Sequence, residues 1–367
     1  MSTVPPAADV DLLATDVESD LRATVRDLLA DQCPPASVAA IYDGDRSVVG
    51  PLWKALAVDL GLAGLLVPED LGGVGASARE AAAVLDELGR ACAPVPFLTS
   101  AVVATTTLLV LDTDLARTTL AAVASGERTA ALVVPLSTGP DGSLPDLTVT
   151  GGAVTGTVRS VAGALEADVL LVAAGGALLL VEAQDAEIAA VSSLDMARQL
   201  ADLTFSGTPG QVLADGEDSD AAVRSALLAG AALLASEQAG VARWCLEETV
   251  AYLKIRKQFG RVVGGFQALK HRLADLYAEV ESASATARYA AATLAVGEDV
   301  EIAARVAAAY CSDIAVHAAE EAVQLHGGIG MTWEHPTHLY LKKAKADQIA
   351  LGTAGAHRAA LAPLIAL

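Results

Sequence analysis

The sequence predicts a mainly α-helical protein with a central β domain, and three observations carry that prediction. Apolar residues make up 53% of the 367-residue chain but aromatic residues only 4%, so the core must be mostly Ala, Leu and Val, which suits close-packed helices. Around Thr129 the apolar spacing changes from helical repeats to short β-prone runs separated by Gly, Pro, Asp and Ser. After the acidic stretch Asp215-Gly-Glu-Asp-Ser-Asp220 the helical spacing returns and holds to the C-terminus. These changes divide the chain into an N-terminal α-helical domain (1–128), a middle β domain, barrel or sandwich (129–214), and a C-terminal four-helix bundle (215–367).

Residues 1–16 read as a disordered lead-in. A helix is predicted over Val17–Asp31, with Leu21, Val25, Leu28 and Leu29 on one face, ended by Cys33-Pro-Pro. Leu52–Leu60 reads as another amphipathic helix, and Gly61–Gly73 as a loop with two turn signals. Helices follow at Ser77–Gly89, Thr99–Leu111 and Leu115–Ser125. The β-prone pieces are Ala130–Leu136, Leu147–Thr150, Ala153–Arg159, Val169–Val172, Ala177–Val181 and Leu203–Phe205, with Gly175-Gly176 as a hairpin turn. The acidic linker is expected to break structure and to place carboxylates at the start of the next helix, where they favour its positive end. Very long helices are predicted over Ala221–Lys257, Phe266–Val296 and Glu301–Leu325, then shorter ones over Pro336–Ile349 and Ala354–Leu367.

Charge and composition exclude several functions. A net charge of −21 argues against nucleic acid and against anionic membrane surfaces, since both need clustered Lys and Arg. The four cysteines, at 33, 92, 245 and 311, are far apart with no CxxC, so reduced thiols in a cytoplasmic protein are expected. The N-terminus lacks a signal-peptide layout, and the most apolar runs, Val169–Val181 and Ala226–Ala235, are shorter than the ~20 residues of a membrane span. Gly72-Gly-Val-Gly-Ala-Ser is no Rossmann fingerprint, and no GxSxG occurs. His326, His335 and His338 tempt a metal reading, but Pro336 breaks their spacing and no carboxylate pair completes a familiar ligand set, so no metal is expected. Trp333 and Tyr340 read as core or interface residues rather than stacking platforms.

Two stretches carry chemistry. In Tyr252-Leu-Lys-Ile-Arg-Lys-Gln-Phe-Gly260, Arg256 stands three residues before Phe259 at what reads as a helix end closed by Gly260. A guanidinium fork suits phosphate oxygens and a phenyl ring offers a face for a base, which is what a dinucleotide needs. The same residues are the usual solvated end of an amphipathic helix, so spacing alone does not decide. In Gln324-Leu-His-Gly-Gly-Ile-Gly330, adjacent glycines let a backbone approach a ligand closely.

Taken together, Arg256-Lys-Gln-Phe-Gly260, Phe266-Gln267 and Gln324–Gly330 resemble the acyl-CoA dehydrogenase family of FAD flavoproteins, from about Val17 to the C-terminus. The resemblance implies α,β-dehydrogenation of an acyl-CoA thioester to a trans-2-enoyl-CoA, with FAD as cofactor and an electron-transfer flavoprotein or similar acceptor. It also implies tetramers whose flavin sites are shared between chains. It assigns Arg256 to the pyrophosphate, Gln258 and Phe259 to the adenosine end, and Gln267, Gln324, Gly327 and Gly328 to the same cradle, with Gly352 and Thr353 as further cofactor contacts.

The family's phrases that hold a chain's own flavin are missing: Ala131–Ser137 replaces a Thr-Glu-Pro phrase, and the Trp-containing phrase has no match near Val158–Ala164. The family's usual base position is Leu351, and its alternative position early in the long helix is Gly230. Neither residue can take a proton. Glu237, two helical turns on, about 10 Å away, reads as a surface or interface carboxylate. Certain bacterial members of the family are α2β2 heterotetramers in which one subunit type carries the base and most flavin contacts, and this chain resembles the other type. A vacated pocket in it would leave room for a bulky, sterol-derived acyl group. The alternatives are a self-sufficient homotetramer with an unusual base, a structural subunit without redox role, and a flavin oxygenase or nitroalkane-oxidase-like relative, the latter disfavoured by Leu351.

Overall fold

The computed structural model describes residues 10–366, so the lead-in expected over residues 1–16 lies mostly outside the described residues. Helix α1 (Asp16–Gln32) starts with a capping box: Thr15 accepts from the Glu18 N–H while the Glu18 carboxylate accepts from the Thr15 N–H. Cys33-Pro-Pro ends it, but Pro35 also opens α2 (Pro35–Ile41), a helix that the apolar spacing does not announce. Proline at the first helical position is pre-set for that role. The predicted Leu52–Leu60 helix is α3 (Val49–Lys54) continued by a π-helical turn, Ala55–Asp59. A second capping box, Ser77 with Glu80, opens α4 (Ala78–Ala91). The predicted Thr99–Leu111 helix is a π-helical run, Phe97–Ala104, followed by α5 (Thr105–Leu109), and α6 (Asp114–Ala124) closes this region.

Eight strands follow: β1 (Ala130–Leu132), β2 (Thr148–Thr150), β3 (Ala153–Ala162), β4 (Val169–Ala174), β5 (Ala177–Glu182), β6 (Glu187–Val191), β7 (Leu200–Pro209) and β8 (Gln211–Asp215). They form two four-stranded sheets, β1-β4-β5-β8 and β2-β3-β7-β6, that do not close into a barrel; only β1 and β4 pair in parallel. Alternation explains the layering. Leu170, Val172, Leu179 and Val181 face the second sheet's Val154, Val158, Leu203 and Phe205, while Val169, Leu171, Leu178 and Leu180 join the helical core. The Gly175-Gly176 hairpin turn has both φ angles positive, +59° and +80°. The predicted strand 130–136 stops at Leu132 because the chain crosses between sheets, the Val133 N–H donating to Leu171 O and the Leu136 N–H to Ser160 O.

The acidic linker does not break structure. Helix α7 (Gly216–Ile255) begins inside it, with Glu217 and Asp218 in the first turn. The helix stops before Gly260: Lys257–Gln258 (β9) and Arg261–Val262 (β10) pair as a small hairpin, with Phe259 (φ +52°) and Gly260 (φ +73°) at its tip. Then come α8 (Gln267–Val296), α9 (Val300–His326), α10 (Thr337–Asp347) and α11 (Ala354–Leu364). By length and hydropathy α7 could cross a membrane, contrary to the shorter run read from the sequence, but 89% of its apolar window is buried by neighbouring helices.

Where α4 crosses α7 the backbones touch. A Cβ on Gly89 would stand 2.0 Å from Glu237 O, and one on Gly240 2.0 Å from Asp86 O. Gly240→Ala is therefore expected to destabilise. The ~1 kcal/mol gained in helix propensity is outweighed by overpacking worth about 1–3 kcal/mol against a backbone that cannot yield. A fall in the urea midpoint at unchanged slope is the expected result; a rise would show that the crossing relaxes freely.

Candidate functional site

The two positions at which a base was sought meet in space. Gly230 lies in α7, and Leu351 lies in the turn between α10 and α11. A Cβ on Gly230 would stand 3.0 Å from Leu351 Cδ1 and 2.8 Å from Val103 Cγ2. Leu351 is buried with φ +55°, held by its N–H donating to Leu136 O at 2.7 Å and by the His357 Nε2–H donating to its carbonyl at 3.0 Å. The remaining space is a cavity of about 30 Å³ lined by Leu98, Thr99, Val103, Leu136, Leu227, Leu351 and neighbouring apolar residues, with no carboxylate in its wall. Such a volume holds about two waters. The site therefore does not fit a flavin ring with an acyl chain, and the vacated room expected for a bulky acyl group is filled by aliphatic side chains. The Pro135–Gly142 segment closes it further: a Cβ on Gly139 would stand 3.2 Å from Leu351 O. Nearby Asp141 is no substitute base, because Arg305 grips both its oxygens at 2.7 and 3.0 Å and holds its carboxyl below the usual range.

Glu237 is neither a rescue base nor a surface carboxylate. It is 3% exposed, 2.5 Å from Lys343 Nζ and 2.6 Å from an Arg198 nitrogen. Burial pushes its carboxyl up, but the charges of Arg198 and then Lys343 outweigh burial and bring it down to about 2. Asp347 completes the cluster at 3.2 Å from Lys343 and 3.3 Å from Arg198 Nε. Burial and the repulsion of Glu237 and Asp195 raise Asp347 against the pull of both cations. The sequence hid this cluster because its members come from three distant segments.

The other motif residues gather at the far end of α7. Arg256 is 26 residues beyond Gly230, roughly 39 Å at 1.5 Å per residue, beyond the reach of one dinucleotide. Tyr252, one turn before Arg256, stacks on His326 with ring centroids 4.4 Å apart, which brings Gly327-Gly328 beside the hairpin. Arg256, Gln258, Gln267 and Gln324 are exposed and, among the described residues, their side chains have no partner. Phe259 is 89% exposed and meets Phe266 edge-on. No atom lies within 4 Å of a Cβ built on Gly327 or Gly328, and φ at Gly327 is +66°. A fork of donors, a free ring face and an open glycine pair are groups whose chemistry suits a pyrophosphate and an adenine. Gly352 and Thr353 lie at the Leu351 end instead. A Cβ on Gly352 would stand 2.9 Å from His357 Nε2, and Thr353 Oγ1 caps α11 by accepting the Ala356 N–H. Tyr340 is core, stacked on Trp244 at 3.5 Å, whereas Trp333 is 63% exposed, edge-on to Tyr42 at 5.6 Å and with the Lys342 ammonium 4.0 Å over its ring.

Helical regions flanking a two-sheet β region, with a helical bundle built on the longest helix, define an acyl-CoA dehydrogenase fold. The chain belongs to the acyl-CoA dehydrogenase family, whose members are FAD-dependent oxidoreductases. Residues 15–127 match the family's N-terminal domain and residues 221–365 its C-terminal domain. Acyl-CoA dehydrogenase IpdE2 of Mycobacterium tuberculosis (strain ATCC 25618 / H37Rv) is 38% identical over 324 residues, 88% of this chain and 89% of the relative. Among solved structures, a variant of the Tcur3481-Tcur3483 steroid ACAD is 30% identical, with a TM-score of 0.83 over 96% of this chain and 98% of that one. The ChsE4-ChsE5 complex from Mycobacterium tuberculosis is 28% identical, with a TM-score of 0.84 over 97% of this chain and 99% of the other.

Proposed function

We propose that this chain is the base-less subunit of an α2β2 acyl-CoA dehydrogenase: it completes a partner's FAD site and has given up its own. The observation that carries the reading is the contact of Gly230 with Leu351 across an aliphatic plug, where proton removal would need a carboxylate. At the opposite end of α7, Arg256, Phe259 and the Gly327-Gly328 pair are exposed, and exposed Ile255 and Met331, adjacent to them along the chain, supply apolar surface for a partner. Bound FAD supplies the hydride acceptor in α,β-dehydrogenation of an acyl-CoA to a trans-2-enoyl-CoA. This chain's part is to position: Arg256 neutralises pyrophosphate charge, Phe259 stacks on adenine, and Gly327-Gly328 lets the backbone approach. The partner supplies the carboxylate that takes the α-proton, and an electron-transfer flavoprotein or similar protein drains the electrons. A sterol-derived acyl group is the proposed substrate, supported by likeness to the steroid ACAD variant and by the plugged cavity here, which leaves acyl binding to the partner's pocket.

The experiment compares this chain alone with the chain co-expressed with a longer family member that retains the base. Alone it is expected to show no turnover of any acyl-CoA with an artificial electron acceptor, and Leu351→Glu is expected not to restore turnover, since the new carboxylate would have no flavin beside it. The complex is expected to turn over with flavin on only one subunit type. Clear turnover by the single, fully flavin-loaded chain would overturn the reading in favour of a homotetramer.

A further inference from the structure

Beside the nucleotide cradle, three side chains from separate elements converge. Glu248 lies in α7, His326 ends α9, and His335 stands in the turn before α10. One ligand atom from each lies within 4.8 Å of the other two. Spacing along the chain, which counted against a metal, conceals Glu248, because folding brings it in from 78 residues before His326.

The hydrogen bonds around His326 leave one buried lone pair unpartnered. His326 is 3% exposed, and its Nδ1 is 2.7 Å from Ala322 O. A carbonyl only accepts, so Nδ1 carries the proton and Nε2 is a bare acceptor. That Nε2 is buried and has no hydrogen-bond partner, an arrangement that costs stability unless something fills it. His335 Nδ1 lies 3.3 Å from Thr337 Oγ1, which spends its own proton on Gly330 O at 3.2 Å and is free to accept. The Thr337 N–H donates to the same Nδ1 at 3.4 Å, so without an ion Nδ1 accepts and the ring proton is on Nε2. His335 Nε2 lies 3.6 Å from Glu248 Oε1, too long for a hydrogen bond, and an ion bound at Nε2 would move the ring proton to Nδ1, where the Thr337 hydroxyl can accept it. A buried imidazole lone pair without a donor, a second imidazole and a carboxylate, brought together from three elements, suit a cation.

We propose that Glu248, His326 and His335 bind a divalent transition metal, with Zn²⁺ the ion that suits them. Two imidazoles and one carboxylate leave the fourth tetrahedral position to water. Imidazole ligands disfavour Mg²⁺ and Ca²⁺. A ring N–H held by a backbone carbonyl, as at Ala322, is the outer hydrogen bond that metal-bound histidines use. On binding, the ligand atoms close to roughly 3.4 Å apart, the separation set by bonds of about 2.0–2.1 Å. The ion joins the last third of α7, the end of α9 and the turn before α10, and so brackets Gly327-Gly328. The site stands whether or not the chain serves a partner's FAD.

The test uses the untagged 367-residue chain, stripped with a chelator and titrated with Co²⁺ and then Zn²⁺. The expected result is saturable uptake of about one ion per chain, visible Co²⁺ bands without a near-ultraviolet thiolate band, and a raised thermal midpoint with Zn²⁺. Glu248→Gln and His335→Gln are each expected to weaken uptake at least about tenfold, and Thr337→Val about 10–100-fold. Absence of saturable uptake overturns the proposal, as does uptake unchanged in folded variants. A thiolate band also overturns it by placing the ion on cysteine. Where circular dichroism shows a variant unfolded, the wild-type Co²⁺ spectrum decides by itself.

Discussion

Lys343→Met is expected to cost about 3–5 kcal/mol of folding stability, because it removes one cation from a buried ion cluster and leaves the carboxylates under-compensated. Lys343 is 2% exposed, and Glu237 and Asp347 would be left to share Arg198. The double variant Lys343→Met/Glu237→Leu is expected to recover part of the loss, since replacing both members of a buried pair avoids an orphaned charge. The pH dependence carries a sign. Glu237 sits below its ordinary 4.5 when folded, so its contribution is complete above 4.5 and is lost as pH falls from there toward about 2. Asp347 is raised, so it opposes folding at neutral pH and is relieved as pH falls. In the Lys343 variant acid is expected to ease the penalty, because protonating the orphaned carboxylates removes the buried charge. Urea titrations at neutral and mildly acidic pH measure both effects. A loss below about 1 kcal/mol at neutral pH would mean that water or backbone motion screens the cluster.

The cluster also shows which parts of this molecule could be seen in the sequence. The layout of helices, sheets and helices was legible because apolar spacing is a local signal, and the Arg256–Phe259 and Gln324–Gly330 phrases could be singled out because each is only a few residues long. Glu237 was misread because what defines it, Arg198 and Lys343, lies 39 residues before it and over a hundred after. Glu248 beside the two histidines was missed for the same reason. Strand β6 escaped because its Glu187–Val191 pattern is mostly exposed and lacks alternation, and β8 because acidic residues follow it directly. The π-helical run that shapes the aliphatic plug has no sequence period of its own; Pro96 and the Thr105 hydroxyl, which donates to Ser100 O at 3.0 Å, mark it only in retrospect. That Gly230 and Leu351 touch required the fold, though their inability to act as bases did not.

In the assembled complex, Arg256→Ala is expected to weaken FAD retention by about 10–150-fold, the 1.5–3 kcal/mol of hydrogen bonds between a charged fork and phosphate. The fold gives the clean background this test needs. Arg256 is exposed and has no partner within the described chain, so its removal is expected to shift stability by less than about 0.5 kcal/mol. Phe259→Ala, also at the exposed hairpin tip, is expected to cost about 1–3 kcal/mol through lost stacking on the base. Arg256→Lys keeps the charge but not the planar fork and is expected to fall between wild type and alanine. Gly328→Val separates packing from binding. Nothing lies within 4 Å of a Cβ there, so the fold has room for it, yet the added carbons would stand where the phosphates approach. Flavin absorbance per complex after gel filtration, read beside the melting temperature, distinguishes the cases. If all four variants keep wild-type flavin content, the open end of α7 is not a nucleotide cradle and the shared-site reading fails. If flavin is lost with the fold intact, a chain without a base still decides whether its partner holds a cofactor.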